Sequence, residues 1–321
     1  MSDGWGPDVL GAPFEQRTLD LGTDAEGPVV ATLVRSVARG IAALTGPLRD
    51  VDVLHVHGWS DAFFQTDLAR FWNTLGARFF ALDLRKYGRS IRPGQTPGYI
   101  ASLDQYDDDI AAARAVMGDG RRLVLLGHST GGLTLTLWAS RHPGAAAALV
   151  LNSPWLELQV GGFGRQALAP LIQARARFDP LGAHPDVDLG FYTRAQRELG
   201  TLPDIPDGWR PERGFATHPG WLAAVVAGQA KIAGGVDAGA PVLTLLSTGW
   251  TPPLQWTPAM TQTDSVLVVD DIARAATRIG TDVTLSRIPG AIHDVFLSAP
   301  QPRSTAYAAM RRWATRGALA R

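Results

Sequence analysis

The stretch that decides the fold is LVLLGHSTGGLTLTLWASRHPG, residues 123–144. Its first four residues are all aliphatic, which predicts a strand that is buried on both faces. From residue 133 the pattern becomes amphipathic and predicts a helix, which the segment HPG ends. A buried strand is therefore expected to turn almost directly into a helix.

Ser129 stands in this turn, two residues after Gly127 and two before Gly131. A strand that turns straight into a helix leaves little room for neighbouring side chains, and the two glycines relieve that crowding. Gly132 lets the helix pack closely. The hydroxyl of Ser129 is then exposed at the apex, which predicts a nucleophile. A glycine-serine turn without chemistry is the alternative; a phosphate loop is disfavoured because no Gly-Lys-Ser/Thr follows.

The composition of the chain narrows the range of possible functions. The chain has 321 residues, a formal net charge of zero and an estimated pI near 7.1, so neither nucleic acid nor an anionic membrane is an expected partner. It has no cysteine, which excludes disulfides, a thiol nucleophile and thiolate metal sites. No signal-like start or bilayer-length apolar run is evident. We expect a cytoplasmic protein without integral membrane association or a metal; the oligomeric state is left open.

Alternating strand and helix patterns predict an α/β fold with a mostly parallel sheet flanked by helices. The predicted strands are 15–20, 28–37, 51–56, 78–82, 123–126, 147–151, 242–246 and 283–288. Helices are predicted at 63–75 and 103–117; in the latter, three consecutive aspartates at 107–109 are interpreted as a solvated helix start rather than as a metal site.

From residue 155 to 236 no convincing strand pattern occurs. Helical patterns at 166–178, 189–199 and 221–232 are separated by stretches rich in proline and glycine. We therefore predict a core of residues 1–154 and 237–321 with an inserted helical cap, or lid, at 155–236.

A serine nucleophile needs a base, and that base needs an orienting acid. In a sheet of this kind both follow the serine, in the order acid and then histidine. His293, in the loop after the last predicted strand, is the one histidine in a suitable position; the other six are His55, His57, His128, His142, His184 and His218. It is the predicted base.

The acid is expected after the strand 242–246. Asp264 lies in a loop, whereas one of Asp270 and Asp271 is expected to cap the next helix and Asp282 begins a strand. Asp264 is the predicted acid, although the long segment STGWTPPLQWTPAMTQT separates it from the strand.

Acyl transfer through a serine also needs backbone N–H donors for the developing oxyanion. Thr130, directly after the nucleophile, supplies one. The second is expected from Trp59, because His57-Gly58 after the strand 51–56 brings the backbone close.

Five segments together resemble the α/β-hydrolase superfamily: HGWSD (57–61), LDLRKYGRS (82–90), GHSTGG (127–132), TDSVLVVDDI (263–272) and PGAIHDVF (289–296). The closer resemblance is to its monoglyceride-lipase and lysophospholipase-like branch, also called serine aminopeptidase S33-like hydrolases. It implies an eight-stranded sheet, a lid after the sixth strand and no cofactor. It also implies a triad of Ser129, Asp264 and His293, with Trp59 and Thr130 as oxyanion donors.

The expected partner is a small-molecule ester, cleaved through an acyl-enzyme. Trp59, Trp155, Trp250 and Trp256 can reach the crevice at the carboxyl ends of the strands and are expected to form an apolar acyl pocket, or else to pack the cap on the sheet.

Other functions stay open. An aminopeptidase would need a cap carboxylate for the substrate's ammonium group, and the candidates are Glu157, Asp179, Asp186, Asp188, Glu198, Asp204, Asp207 and Glu212. A cofactor-free haloperoxidase or an acyltransferase could use the same triad. A ligand-binding protein without turnover could retain the fold.

Overall fold

The computed structural model of the protein describes residues 4–182, 190–202 and 204–320. Within them the strands are β1 (Gly6–Pro7), β2 (Glu15–Asp24), β3 (Gly27–Val37), β4 (Val51–Val56), β5 (Arg78–Asp83), β6 (Arg122–His128), β7 (Ala148–Asn152), β8 (Val242–Ser247) and β9 (Val283–Ile288). They form one sheet in the order β1-β2-β3-β5-β4-β6-β7-β8-β9. Eight of these strands match the predicted ones, and the ninth is the two-residue β1 at the edge.

The sheet is parallel from β5 to β9 and antiparallel from β1 to β3 and between β3 and β5. The strand order reverses at β4, which lies between β5 on one side and β6 on the other. In open α/β sheets the crevice beyond such a reversal, at the carboxyl ends of the strands, is where ligands bind. The candidate site lies in this crevice.

The helices of the described residues are α1 (Gly40–Thr45), α2 (Thr66–Thr74), α3 (Tyr106–Met117), α4 (Thr130–Arg141), α5 (Gly161–Phe178), α6 (Phe191–Glu198), α7 (Pro219–Gly234), α8 (Val269–Ala276) and α9 (Pro300–Trp313). Short 3₁₀ helices lie at Gly88–Ser90, Leu103–Gln105, Asp207–Trp209, Pro258–Thr261 and Val295–Leu297, and a π-helical turn lies at Ala314–Ala318. Predicted and observed helix ends agree within about one turn, except that α5 begins at Gly161 rather than at residue 166.

Apolar side chains cover both faces of the central strands. Every residue of β4 is buried, and its successive side chains belong to different apolar clusters: Val53 to one and Leu54 to the other. Leu125 and Leu126 of β6 divide between the clusters in the same way. Because side chains alternate along a strand, the two clusters lie on opposite faces of the sheet. This double burial explains why the central strands are recognisable from their aliphatic runs.

The described part of 155–236 contains α5, α6 and α7 and no strand, as expected. Helix α7 packs against both α4 and α5, and Gln229 Nε2 donates a hydrogen bond of 3.2 Å to the Trp155 carbonyl. The division into core and cap stays a prediction. His184, Asp186, Asp188 and the predicted helix start at residue 189 lie outside the described residues.

The aspartates at 107–109 correct one expectation, since they do not form a uniformly solvated helix start. Asp108 is exposed, but Asp109 is fully buried. Asp109 accepts hydrogen bonds of 2.7 Å from both the backbone N–H and the Nε of Arg85. Burial raises the pKa of Asp109 to about 6. This carboxylate therefore anchors the segment after β5 to helix α3.

In the part of the chain that the structure describes, no helix is both long and apolar enough to cross a bilayer. The cytoplasmic location stays a prediction. No group of three or more histidine, aspartate or glutamate side chains suited to a metal ion occurs among those same residues.

Candidate active site

Ser129 occupies the turn between β6 and α4 in a backbone conformation that non-glycine residues rarely adopt. Its φ is 52° and its ψ is −118°. The turn is held by backbone hydrogen bonds: the Ser129 N–H donates to the Asn152 carbonyl over 3.0 Å, and the Ser129 carbonyl accepts from the Trp155 N–H over 2.9 Å. Strained backbone persists only where the surrounding structure holds it in place, and it concentrates at functional sites.

The glycines around Ser129 have the roles that their spacing predicts. A Cβ on Gly131 would overlap the carbonyl oxygens of Val56 and His57 in and after β4, and a Cβ on Gly127 would lie 2.6 Å from Gly132 Cα. Both contacts are with backbone, which cannot move aside as a flexible side chain can. The close approach of β6, α4 and the end of β4 therefore requires glycine.

The turn after β4 lies directly against Ser129. A Cβ on Gly58 would come within 3.0 Å of Ser129 Cβ, so Trp59 follows a residue in contact with the serine. Thr130 is the first residue of α4, and N–H groups in the first turn of a helix have no acceptor within the helix. Trp59 and Thr130 thus lie on the two segments next to Ser129, and their role as oxyanion donors stays a prediction.

His57, which sequence reasoning treated only as part of the turn, fixes the turn's shape. Its Nε2 accepts a hydrogen bond of 3.1 Å from the Leu84 N–H. Nδ1 must therefore carry the hydrogen, and it donates to the Gly58 carbonyl over 2.8 Å. Burial lowers the pKa of His57, so the ring stays neutral and holds this arrangement. The sequence feature that could have indicated this role is the pair His57-Gly58 directly after a predicted strand.

Asp264 and His293, the predicted acid and base, are hydrogen-bonded to each other. Nδ1 of His293 lies 2.9 Å from Oδ2 of Asp264, and the Asp264 side chain is fully buried. Its other oxygen, Oδ1, accepts from the N–H groups of Val266 and Leu267 over 2.7 and 2.8 Å. These two backbone N–H groups therefore fix the direction in which Asp264 faces the imidazole.

The long insert before Asp264 closes on itself. The Asp264 N–H donates to the Gly249 carbonyl over 3.0 Å, and the Thr251 N–H donates to the Asp264 carbonyl over 2.8 Å. The chain thus leaves the end of β8, makes a loop and returns to the same place. Asp264 therefore lies next to Gly249, near the end of β8, despite the length of the insert.

The alternative acids lie elsewhere. Asp270 pairs with Arg287 over 2.5 Å, and Asp271 pairs with Arg274. Both lie in the first turn of α8, whose N-cap position is Val268. The expectation that one of them caps this helix is therefore wrong.

The loop that carries His293 is anchored by its neighbour Asp294, which sequence reasoning missed. Asp294 Oδ1 accepts from Asn152 Nδ2 over 2.6 Å and its Oδ2 accepts from Gln65 Nε2 over 3.2 Å. Burial by itself raises the pKa of this carboxyl, but the electrostatic interaction with the neighbouring His128 ring and these hydrogen bonds outweigh burial, and the net effect is a lowered pKa. The sequence signal was a charged residue directly after the predicted base.

His128 lies beside the predicted base. The ring centroids of His128 and His293 are 4.9 Å apart. Nδ1 of His128 donates to the Asn152 carbonyl over 3.1 Å. Burial lowers the pKa of His128 to about 4, so this ring stays neutral and does not compete with His293 for a positive charge at neutral pH.

Ser129 and His293 line one cavity of about 420 Å³. Tryptophans from several parts of the chain line it as well, namely Trp59, Trp155, Trp221 and Trp250. Trp59 and Trp221 are in contact, with ring centroids 3.7 Å apart. Apolar and aromatic walls of this kind are typical of small-molecule sites.

For two tryptophans the structure differs from the expected lining of the acyl pocket. Trp256 is not among the residues that line the cavity; it packs against Phe191, with ring centroids 6.3 Å apart, and under the guanidinium of Arg194 at 4.1 Å. Trp221, which sequence reasoning did not select, lines the cavity from α7. Because Phe191 lines the cavity, Trp256 packs behind a wall residue instead of forming the wall itself.

Comparisons with known proteins agree with this architecture. The family model described as serine aminopeptidase, S33 matches residues 49–200. A monoglyceride lipase from Saccharomyces cerevisiae, solved with a substrate analogue, superimposes with a TM-score of 0.65 at 16% identity, covering 93% of this chain and 95% of that one. The chain therefore has the α/β-hydrolase fold.

Two curated relatives match parts of the chain. Lysophospholipase L2 from Escherichia coli is 34% identical over 116 residues, which are 35% of this chain and 32% of that protein. Lipase LipV from Mycobacterium tuberculosis is 30% identical over 182 residues, 51% of this chain and 64% of that protein. The chain thus spans about a third of the first relative's length and somewhat under two thirds of the second's.

The chain therefore shares the fold of the α/β-hydrolase superfamily and resembles its members over part of its sequence. The resemblance to the monoglyceride-lipase and lysophospholipase-like branch is confirmed.

Proposed function

We propose that the protein is a serine hydrolase that cleaves carboxylic esters through an acyl-enzyme. The observation that carries the proposal is the hydrogen bond between Asp264 and His293 at the edge of a cavity that Ser129 also lines. A nucleophile, a base and an orienting acid are the parts that acyl transfer through serine requires.

The proposed roles follow from the hydrogen bonds. Because a carboxylate only accepts, Nδ1 of His293 carries the hydrogen in its bond to Asp264 Oδ2, and Nε2 keeps the lone pair that a base needs. Nε2 takes the Ser129 proton as the serine attacks the ester carbonyl. The N–H groups of Trp59 and Thr130 stabilise the oxyanion, an interaction for which each donor is typically worth about 10²–10³ in rate.

The second half of the reaction uses the same groups. The protonated His293 gives its proton to the oxygen of the departing alcohol, which leaves the acyl group on Ser129. His293 then takes a proton from a water molecule, and that water attacks the acyl-enzyme. As the tetrahedral intermediate breaks down, His293 returns its proton to Ser129 Oγ, so that the carboxylic acid leaves and the serine is restored. His128, which burial keeps neutral, lies close to His293 without opposing its transient positive charge.

We propose that the substrate has an apolar acyl group. Support comes from the ring faces of Trp59, Trp155 and Trp221 and from the partly exposed Trp250 at the cavity wall. Residues 155–236 would then act as a lid over the crevice, since this segment supplies Trp155 and Trp221 to the same cavity.

An aminopeptidase has less support. None of five cap carboxylates that the structure describes, and that were candidates for binding a substrate's ammonium group, lines the cavity: Glu157, Asp179, Glu198, Asp204 and Glu212. Asp61, which does line it, comes from the turn after β4 and lies 3.6 Å from Arg210 Nε. Asp186 and Asp188 lie outside the described residues, as does the side chain of Asp207. Glu157 is instead paired with Arg165 over 2.8 Å.

The test is covalent labelling by a fluorophosphonate together with hydrolysis of p-nitrophenyl butyrate. Ser129→Ala is expected to abolish labelling and to lower kcat by about 10⁴-fold or more. Ser140→Ala, at the far end of the same helix, is the matched control and is expected to keep both. Near-normal turnover by a folded Ser129→Ala variant, or labelling of the wild type at another residue, would overturn the proposal.

A further inference from the structure

One wall of the cavity is charged. Asp61, from the turn after β4, and Arg210, from the segment between α6 and α7, both line the cavity. Each side chain is 8% exposed, and Arg210 Nε lies 3.6 Å from Asp61 Oδ1. This separation is within ion-pair range, but it is longer than the N–H···O hydrogen bond, which is typically about 2.9 Å. The pair is therefore close without being hydrogen-bonded.

Both partners have a buried polar atom that lacks a hydrogen bond. These atoms are Oδ1 of Asp61 and Nη1 of Arg210, and neither has a partner among the residues described. A guanidinium has five N–H donors in one plane and no acceptor. A buried donor without an acceptor is unfavourable, and a ligand oxygen placed against it removes that cost.

The balance of charge in the cavity indicates which ligand fits. Arg213 lines the cavity together with Arg210, whereas Asp61 is the single carboxylate among the described lining residues. The two histidines of the lining are His128, which is neutral at pH 7, and His293. The lining thus has more positive than negative charge, which favours an anionic group on the substrate.

Tyr192 relates this charged wall to the reaction. The Tyr192 ring lies edge-on to His293 with centroids 5.4 Å apart, and the Arg210 guanidinium lies 5.3 Å from the centroid of the same ring. Arg210 is therefore one aromatic ring away from His293. Because His293 gives its proton to the departing alcohol in the proposed mechanism, the alcohol moiety lies on this side of Ser129.

We propose that Arg210 binds a carboxylate on the alcohol moiety of the substrate ester, and that Asp61 competes with this carboxylate for the guanidinium. The proposal rests on the proposed ester hydrolysis at Ser129. The planar fork of a guanidinium matches a carboxylate with two parallel hydrogen bonds, and Arg210 lines the cavity while its Nη1 has no hydrogen-bond partner among the described residues. Arg213, which also lines the cavity, adds positive charge to its wall.

The competition depends on pH. Burial raises the pKa of Asp61 to about 7; the carboxylates of Asp294 and Asp83 raise it as well, while Arg210 and the Ala62 N–H lower it. Below pH 7 the Asp61 carboxyl is protonated and releases the guanidinium, whereas a substrate carboxylate, with an ordinary pKa of about 4, stays ionised. Preference for the carboxylate ester is therefore expected to increase as the pH falls from 8 to 6.

The experiment compares two butyrate esters of equal size, one of 4-hydroxybenzoate and one of 4-hydroxybenzamide. The measured quantity is the ratio of their kcat/KM values, from which the protonation of His293 cancels. The wild type is expected to prefer the benzoate ester. Arg210→Gln is expected to lower the ratio about tenfold, as for the loss of a charge-assisted hydrogen bond. Asp61→Asn is expected to raise the ratio at pH 8 and to remove its dependence on pH.

Arg210→Gln is expected to lower the ratio and Asp61→Asn to raise it. Opposite shifts indicate a carboxylate-binding site, because the loss of a purely structural ion pair would affect both variants alike. Arg197→Gln on α6, an exposed arginine paired with Glu212, is the control and should leave the ratio unchanged. If both cavity variants shift the ratio the same way, or slow both esters equally, the proposal is wrong. If they fail to fold, inhibition of the wild type decides. 4-Hydroxybenzoate should bind more tightly than 4-hydroxybenzamide, and more so at pH 6; equal inhibition overturns the proposal.

The outcome for the wild type distinguishes this proposal from the proposed function. Hydrolysis of both esters with equal kcat/KM contradicts only the carboxylate site. Hydrolysis of neither ester, and of no p-nitrophenyl ester, contradicts the proposed esterase activity itself.

Discussion

Asp264 Oδ2 lies 2.9 Å from His293 Nδ1, although the two residues come from loops after different strands. The contact forms because the insert between Gly249 and Asp264 is closed by a backbone hydrogen bond at its base. Asp264 therefore keeps a fixed position at the end of β8.

The first prediction concerns this acid. Asp264→Asn keeps the size of the side chain but replaces an oxygen that only accepts with an amide group, so that His293 is no longer held in the required tautomer. We expect kcat for p-nitrophenyl butyrate to fall by about 10⁴-fold. Asp270→Asn, at an exposed ion pair with Arg287, is the control. A large loss for Asp270→Asn and a small one for Asp264→Asn would refute the assignment.

The second prediction concerns the acyl group. Each methylene buried against the tryptophans is worth roughly 0.8 kcal/mol, or about a fourfold gain in kcat/KM per carbon. The series from p-nitrophenyl acetate through butyrate and hexanoate to octanoate should therefore rise until the pocket is full. Trp155→Ala is expected to flatten the rise, because Trp155 is almost fully buried at the cavity wall. A wild-type series that is flat or falls from acetate would contradict an apolar acyl pocket.

The third prediction concerns the glycines of the turn. Gly131→Ala forces a Cβ against the backbone carbonyls of Val56 and His57, and overpacking against backbone typically costs 1–3 kcal/mol or more. We expect a decrease of several degrees in the midpoint of thermal unfolding. Gly120→Ala, where nothing lies within 4 Å of the added Cβ, is the matched control. Equal midpoints for the two variants would show that β4 and α4 approach each other less closely than described.

The fourth prediction concerns a buried ion-pair network that ties the N-terminal segment to the sheet. Arg89, 2% exposed, pairs with Asp8 over 2.6 Å and with Asp83 over 2.8 Å, and both carboxylates are fully buried. Arg89→Met leaves two buried carboxylates without their cation, which typically costs about 3–5 kcal/mol. Arg70→Met breaks an exposed pair with Asp67 and is expected to cost less than about 1 kcal/mol. Urea unfolding of both variants measures the difference; similar losses would contradict the prediction.

Local sequence patterns were sufficient for most of the sheet. The strands β4 and β6 are recognisable because burial on both faces leaves uninterrupted aliphatic runs. Ser129 was recognisable because the spacing of Gly127 and Gly131 reflects contacts made within a few residues along the chain or with the adjoining strand. His293 followed from chain order, since loops after parallel strands all open at the same edge of the sheet.

Contacts between segments that are distant in the chain could not be predicted from such patterns. The sequence suggested a solvated aspartate at 109, but that carboxylate is buried against Arg85. It also placed Trp256 in the cavity, whereas Trp256 packs against Phe191 and Arg194, and it missed Trp221, which lines the cavity from α7. In each case the outcome depends on which segments pack together.

By itself the sequence determined the order of strands and helices, the sharp turn at Ser129 and the chain order of the predicted acid and the predicted base. These properties depend on periodicity, backbone sterics and the one-sided arrangement of loops in a parallel sheet. Only the tertiary structure decided that Asp264 faces His293 and that Asp61 lies beside Arg210. Those pairs join segments far apart in the chain, and their distances follow from how residues 190–236 and the insert at 249–264 pack over the sheet, which no local pattern encodes.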